Sequence, residues 1–168
     1  MFHSKTNHIY IGLGANLGDR AGNLLLAARG ILDAGLCITR ISAVYETEPI
    51  TAEPQPAFLN MVAELDGKTS VTPEQLMARL LRVEYSLGRR RTALNGPREI
   101  DLDLLLFKNE TSNTEFLTLP HPRMHERRFV LIPLAELAPN LIHPTLKKTI
   151  AELLETTDDH SEVRRWEP

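Results

Sequence analysis

The sequence predicts an α+β fold of the ferredoxin-like kind: βαββαβ, an antiparallel sheet with both helices on one face, plus C-terminal additions. Three observations carry this. Apolar, partly alternating segments at 9–13, 37–47, 58–65 and 98–107 read as strands. Segments with helical apolar spacing fall at 23–34 and 73–87. The two kinds follow one another as strand, helix, strand, strand, helix, strand.

The first strand runs into Gly12-Leu13-Gly14-Ala15-Asn16-Leu17-Gly18. Its glycines approach a dinucleotide fingerprint, but the third comes one position late, so a tight strand-to-helix turn is the better reading. Asn16 stands where it could contact a ligand. In the first helix Leu24, Ala28 and Ile31 form one stripe, and Gly35 stops it. Residues 48–56 hold three prolines and no periodicity, hence a long loop. In the strand at 58–65, Leu59, Met61, Ala63 and Leu65 share one face and Phe58, Asn60, Val62 and Glu64 the other. The second helix has Thr72 as N-cap, Pro73 at the first position and Gln75 completing a capping box. Leu76, Leu80, Val83 and Leu87 recur at helical spacing before Gly88 ends it. An arginine-rich loop leads to the strand at 98–107. The remainder predicts a short strand at 116–119, a helix at 128–137 interrupted by Pro133, and a terminal helix at 149–154. No repeat or linker divides the chain, so residues 1–168 read as one domain.

The net charge is −3 at neutral pH. That argues against nucleic acid as a partner. Arginine is nevertheless concentrated at Arg89, Arg90, Arg91 and Arg98 and again at Arg123, Arg127 and Arg128. Such clusters suit a small polyanion, the bland alternative being a solvated basic face. The one cysteine, Cys37, excludes an intrachain disulfide; flanked by Leu36 and Ile38, it reads as a buried, inert thiol. No signal peptide and no membrane-spanning run is visible, which points to a cytoplasmic protein without a membrane partner.

Asp101 and Asp103 carry the chemistry. Two apart on a strand, they point the same way, roughly 6–7 Å from each other. Ile100, Leu102, Leu104 and Leu106 form the opposite face. Two like charges on a largely buried strand cost free energy unless a cation compensates. Mg2+, which shares a few carboxylates with substrate phosphates, would do so; nearby arginines such as Arg98 could also neutralise the pair without metal. Carboxylates for Mg2+ beside arginines for phosphate are the parts of a phosphoryl-transfer site, and the Gly-x-x-x-x-Gly-Lys-Ser/Thr loop is absent. Phe58 and Asn60, on one face of their strand, suit a flat heterocycle that stacks and hydrogen-bonds, or are an edge aromatic and a solvated amide. His121 and His125 are four apart, but Pro120 and Pro122 favour a turn histidine that donates to phosphate over a metal pair. His143-Pro144 reads as turn chemistry.

Several stretches together resemble a known family. They are Gly14-Ala15-Asn16-Leu17-Gly18, Tyr45-Glu46-Thr47, Gln55-Pro56-Ala57-Phe58-Leu59-Asn60, Glu84 through Gly88-Arg89, Gly96-Pro97-Arg98-Glu99-Ile100-Asp101-Leu102-Asp103, and Leu119-Pro120-His121-Pro122-Arg123-Met124. In this order they resemble the 6-hydroxymethyl-7,8-dihydropterin pyrophosphokinases of folate biosynthesis, and the Gly-Pro-Arg-x-x-Asp-x-Asp stretch is the most specific. The resemblance implies an ATP-dependent enzyme, with ATP and 6-hydroxymethyl-7,8-dihydropterin as partners. Asp101 and Asp103 would hold two Mg2+ ions. Arg89 and Arg98 would be catalytic and contact the phosphates; His121 and Arg127 would bind the nucleotide phosphates and Glu84 would help the nucleotide site. Phe58 and Phe129 would sandwich the pterin, while Asn60 and the backbone near Thr47 read its edge. Ala15, Phe58 and Asn95 stand where many or some members have Ser, Tyr and an aromatic residue.

A rival reading is a non-catalytic ferredoxin-like module that binds nucleotide or RNA through sheet aromatics and basic loops. Paired aspartates facing the ligand argue against it, since without metal they repel phosphate. A monomer is expected. The loops at 48–56 and 89–95 flank the strands carrying Asn60 and the aspartates, and three consecutive arginines repel one another until an anion arrives. Closure over both substrates would exclude water. Hydrogen exchange in these loops should slow most with an ATP analogue, Mg2+ and pterin together; equal exchange in free, binary and ternary states would mean a preformed site.

Overall fold

Strict alternation buries Ile9, Ile11, Leu13 and Ala15 on one side of the first strand, β1 (His8–Ala15). The computed structural model describes residues 7–49, 54–90 and 96–168. The loop expected at 48–56 therefore lies partly, and that at 89–95 with Arg91 and Asn95 largely, outside the described residues. β1 is followed by α1 (Arg20–Asp33), β2 (Ile38–Ile41), β3 (Tyr45–Thr47), β4 (Phe58–Asp66), α2 (Pro73–Ser86) and β5 (Asp101–Phe107). The rest comprises β6 (Ser112–Asn113), β7 (Thr118–Leu119), a 3-10 turn (Met124–Glu126), α3 (Arg128–Leu137), α4 (Ile150–Thr156) and β8 (Val163–Arg165).

The main sheet runs β5-β1-β4-β3-β8, with β2 also on β4, and every pairing is antiparallel. The protein is thus mixed α and β, built on an antiparallel sheet with four α-helices among the described residues. The helices form where their end signals lie. The Asp19 carboxylate accepts from Gly22 N–H and starts α1 at Arg20, ahead of the position set by apolar spacing alone. Thr72 and Gln75 make the expected reciprocal cap on α2. Gly35 and Gly88 follow the two helices with φ of +79° and +97°, a region costly for other residues.

One expected strand is two. Ser42 N–H donates to Val62 O at 2.9 Å, and Val62 N–H donates to the Ser42 hydroxyl at 2.9 Å. The hydroxyl takes the place of a backbone carbonyl, interrupting the ladder between β2 and β3. Cys37 is exposed rather than buried. Leu36 turns into the core, and the next side chain turns outward.

Both faces of the sheet are covered. Leu24, Ala27 and Ile31 of α1 and Leu76, Leu80 and Val83 of α2 pack on Ile11, Leu13, Leu59, Met61, Leu102 and Leu104. Each fully buried leucine there contributes about 2 kcal/mol. On the opposite face, Val130, Leu131 and Leu134 of α3 with Ile150 and Leu153 of α4 cover Tyr10, Val62, Leu105 and Leu106. Leu106 was expected beside Leu102 and Leu104. A register shift in the β1–β5 pairing changes the phase, so Leu105 and Leu106 both join the second cluster and Phe107 the first. Pro133 lies inside α3, which nonetheless runs its full length, anchored by buried Val130, Leu131, Leu134 and Leu137. The terminal helix forms, with Thr149 and Glu152 as its capping box. β8, on β3, had no counterpart in the sequence reading.

At the far end of the second face Glu64 is 2% exposed. Its carboxylate accepts from Arg40 Nη2 at 2.6 Å, Tyr10 Oη at 2.9 Å and Thr39 Oγ1 at 2.9 Å. Burial alone would raise its pKa, but these donors, Arg40 foremost, outweigh it and hold the carboxyl at about 2. A folded pKa below the unfolded value stabilises above the unfolded pKa and is lost as pH falls through the folded one. Wild-type protein should lose on the order of 2 kcal/mol more unfolding free energy than Glu64→Gln between pH 5 and pH 2.5, read by urea titration. Parallel acid profiles would show that the network does not store this stability.

Candidate functional site

The second cluster covers only part of its face. At one end of the sheet Gly14 of β1 pairs with Asn60 of β4 and Asp101 of β5, and Gly12 pairs with Val62 and Asp103. Two glycines at the centre leave a floor without side chains between Phe58 and Asn60 on one flank and the aspartates on the other. A cleft of about 450 Å³ stands over it, closed opposite by Arg127, Phe129 and Val130.

Asp101 and Asp103 face into this cleft, as their spacing requires. Burial, and then the like charge of Asp101, pushes the Asp103 carboxyl well above the ordinary carboxylate range. Asp101 is held from both sides. Arg98 Nη1 donates to its Oδ2 at 3.0 Å, and Arg89 Nη1 donates to its Oδ1. The same Arg89 nitrogen donates to Glu84 Oε1 at 2.5 Å. Glu84, 3% exposed on α2, also accepts the Leu102 N–H at 2.7 Å and so stands in for a neighbouring strand at the open edge of β5. Burial opposes the Arg89 charge, but Asp101 and Glu84 outweigh it and raise its pKa.

Arg98 is fixed through its backbone. Asn16, 1% exposed at the end of β1, accepts the Arg98 N–H on Oδ1 at 2.8 Å, while its own N–H donates to Arg98 O at 3.1 Å. Its amide nitrogen donates to Gln55 Oε1 at 2.9 Å and Pro56 O at 3.0 Å. Both amide protons are thus engaged within the protein. Asn16 lies outside the cleft lining and ties its two flanks together.

The apolar half has Phe58 and Phe129 in its lining. The Arg98 guanidinium lies 5.5 Å from the Phe58 ring centre, and that of Arg127 lies 5.6 Å from the Phe129 ring centre. Each aromatic wall thus borders a cation. Asn60 Nδ2 donates to Thr47 Oγ1 at 2.9 Å, both residues being buried and in the lining. Burial, and then Arg123, lowers the Arg127 pKa. Arg127 makes no ion pair among the described residues, although Asp103 and Asp101 lie near enough to favour its charge. Burial, and then Arg127, lowers the His121 pKa to about 4. Its Nδ1 accepts from Arg123 N–H at 3.2 Å, so the neutral ring presents Nε2–H as a donor.

The structure brings Thr47, Phe58, Asn60, Arg98, Asp101, Asp103, Arg127 and Phe129 to one cleft. Glu84, Arg89 and His121 lie outside its lining, Arg89 bonded to Asp101 and Glu84 bonded to Arg89. His125 turns away from His121 and packs edge-on against His143, ring centres 6.1 Å apart. His143 is a turn residue, as expected, its Nδ1 accepting from Leu146 N–H at 3.2 Å. Sequence reasoning missed Asp159, a lining residue from the C-terminal tail that follows no motif in the sequence. Among the described residues no three His, Cys, Asp or Glu side chains cluster tightly enough to cage an ion. Two carboxylates facing one cleft, one of them pushed up in pKa by burial and then by the other's charge, fit Mg2+, which takes one or two carboxylates, several waters and substrate phosphates.

The profile of the 7,8-dihydro-6-hydroxymethylpterin-pyrophosphokinase (HPPK) family matches residues 10–139. The 2-amino-4-hydroxy-6-hydroxymethyldihydropteridine pyrophosphokinase of Aquifex aeolicus is 43% identical over 144 residues, 86% of this chain and 88% of its own length. The protein of that name from Bacillus subtilis is 42% identical over 161 residues, 95% of this chain and 90% of its own. Among solved structures, an HPPK-DHPS in complex with substrates superposes with a TM-score of 0.68 at 15% identity, over 90% of this chain and 43% of that one. Plasmodium falciparum HPPK-DHPS with pterin and p-hydroxybenzoate gives 0.65 at 17% identity, over 92% and 44%. At these identities the likeness is one of fold, and this chain spans less than half of those two.

Gly14 is needed for a close approach: a Cβ there would lie 2.8 Å from Asn60 Oδ1. Gly14→Ala should keep the fold yet displace the Asn60 amide from Thr47, at a cost of about 1–3 kcal/mol in heterocycle binding. Calorimetry reads the affinity, and the Asn60 side-chain amide resonance reads the displacement. An unshifted resonance with wild-type affinity would show that the floor tolerates a side chain.

Proposed function

The chain belongs to the 7,8-dihydro-6-hydroxymethylpterin-pyrophosphokinase family, and on that premise we infer that it transfers pyrophosphate from ATP to 6-hydroxymethyl-7,8-dihydropterin. The products are AMP and the pterin pyrophosphate, a step of folate biosynthesis. The observation that carries the assignment to this cleft is the joining, over one glycine floor, of an aromatic half beside Asn60 to a half holding Asp101, Asp103 and three arginines.

The pterin alcohol lies between Phe58 and Phe129, its polar edge read by Asn60 and by the backbone at Thr47. Its hydroxymethyl oxygen attacks the β-phosphorus, and AMP leaves. Mg2+, two ions in this reading, bound by Asp101 and Asp103 supplies Lewis-acid neutralisation of the phosphate oxygens. Arg98 and Arg89 align the phosphates and follow the charge that moves during transfer; Arg127 and the Nε2–H of His121 hold the nucleotide phosphates. Glu84 keeps Arg89 against Asp101. No general base is assigned, because phosphoryl transfer rests on alignment and charge stabilisation. The whole chain acts as one domain whose βαββαβ core is ferredoxin-like. The reading is of a monomer, since one chain supplies every group named here, working in the cytoplasm. No described helix is long and apolar enough to cross a membrane. The RNA-binding module is not favoured, because the aspartates would repel a polyphosphate chain that arrives without cations.

Incubation with ATP, Mg2+ and the pterin alcohol should yield AMP and pterin pyrophosphate by chromatography; ADP as the main nucleotide would mean single phosphoryl transfer. Asp101→Asn and Asp103→Asn should each fold and lower turnover by roughly a hundredfold or more. Near wild-type turnover in either would make the pair structural.

A further inference from the structure

The family match ends at residue 139. Beyond it, the tail reaches back to both walls of the apolar half. β8 pairs with β3, Val163 lying opposite Thr47. Arg164 approaches Glu46 at 3.6 Å, and Trp166 N–H donates to Val44 O at 2.9 Å. Before β8, Asp159 lines the cleft, and its Oδ2 accepts the backbone N–H of Arg128 at 2.7 Å. That N–H belongs to the first residue of α3, whose own N-cap, Arg127, offers no side-chain acceptor. Asp159 thus supplies, from 31 positions further along, the cap this helix lacks. Its Oδ1 accepts from Ser161 N–H at 2.9 Å, which fixes the carboxylate in that direction. Arg128 separates Arg127 from Phe129, so the capped peptide sets both the aromatic wall and the adjoining cation.

We propose that the tail is part of the heterocycle half of the site, with Asp159 as a positioning residue that holds Phe129 at stacking distance from Phe58. The inference rests on the pterin assignment above. One end of the tail grips the strand that carries Thr47, and the other grips the helix end that carries Phe129. The spacing between those walls is therefore fixed by a segment outside the family motifs. A stacked ring is sensitive to that spacing, whereas phosphates held by several long side chains adapt to a small shift.

Equilibrium binding is the test, so it does not depend on turnover. Pterin alcohol and a non-hydrolysable ATP analogue with Mg2+ are titrated separately by calorimetry into wild type, Asp159→Ala, Asp159→Asn and the control Asp158→Ala. Asp159→Ala should weaken pterin binding roughly fivefold or more while nucleotide binding changes by less than about twofold. Asp159→Asn, whose amide oxygen can still accept the Arg128 N–H, should recover most of the loss, and Asp158→Ala should match wild type. Loss of both affinities in step with a lowered Tm would make the tail a general stabiliser and overturn the proposal, as would unchanged pterin affinity in Asp159→Ala. Wild type that binds pterin but forms no AMP would sink the transferase reading and leave the brace standing. Wild type that binds no pterin would sink both.

Discussion

Two carboxylates on the same face of β5 set the problem that this end of the molecule is arranged around. A strand fixes Asp101 and Asp103 side by side, and the core on the other face of β5 prevents them from turning away. Their repulsion is met in two ways. Asp101 is clamped by Arg89 and Arg98, while Asp103, with no ion pair among the described residues, carries the raised pKa. The clamps are themselves held, Arg89 by buried Glu84 and Arg98 by Asn16. Removing Glu84 would strip the Leu102 N–H of its acceptor, and removing Asn16 would do the same to the Arg98 N–H, the costly kind of loss.

The cleft exists because the second face is covered unevenly. Where β1 carries Tyr10 and β4 carries Val62, α3 and α4 close down on them. Where β1 carries Gly12 and Gly14 there is nothing to pack against, and Phe58, Asn60 and the aspartates are left facing an opening. The glycines therefore matter for the side chains they lack rather than for unusual backbone angles. In the sequence they looked like part of a turn; in the sheet they are a floor.

Much of this was legible in the residues. Capping chemistry at Thr72, the apolar stripe of α2 and the alternation in β4 each specify their element locally. The site motif at 96–103 was readable because two aspartates on one strand face conflict with burial. What escaped shares a cause: it depends on pairing between distant segments. The break at Ser42 needs Val62 opposite, the phase change at Leu105 arises in the pairing with β1, and Asp159 caps a helix far from it in sequence. The exposure of Cys37 turns on which neighbour faces inward, which short apolar runs leave undecided. Glu84 carried a role only through resemblance, since nothing local shows that an acid on α2 meets the unpaired edge of β5.

The arginine clamps raise a question of competition, because the proposed function also asks the groups that neutralise Asp101 to bind phosphate. Guanidinium geometry answers it. Each arginine has five N–H donors in a plane. Arg89 meets both its carboxylates through Nη1, and Arg98 meets Asp101 through Nη1 and Gly96 O through Nε. In each, Nη2 makes no hydrogen bond among the described residues. A phosphate oxygen can therefore be bound without releasing the aspartate. The Arg–Asp pairs then orient the guanidinium planes instead of competing for them, which lowers the entropy lost when polyphosphate arrives. Lysine lacks this planar fork, so it could not hold the aspartate through one nitrogen while presenting a second to phosphate. On the proposed function, the neutralisation of Asp101 by these arginines and their hold on phosphate are two aspects of one arrangement.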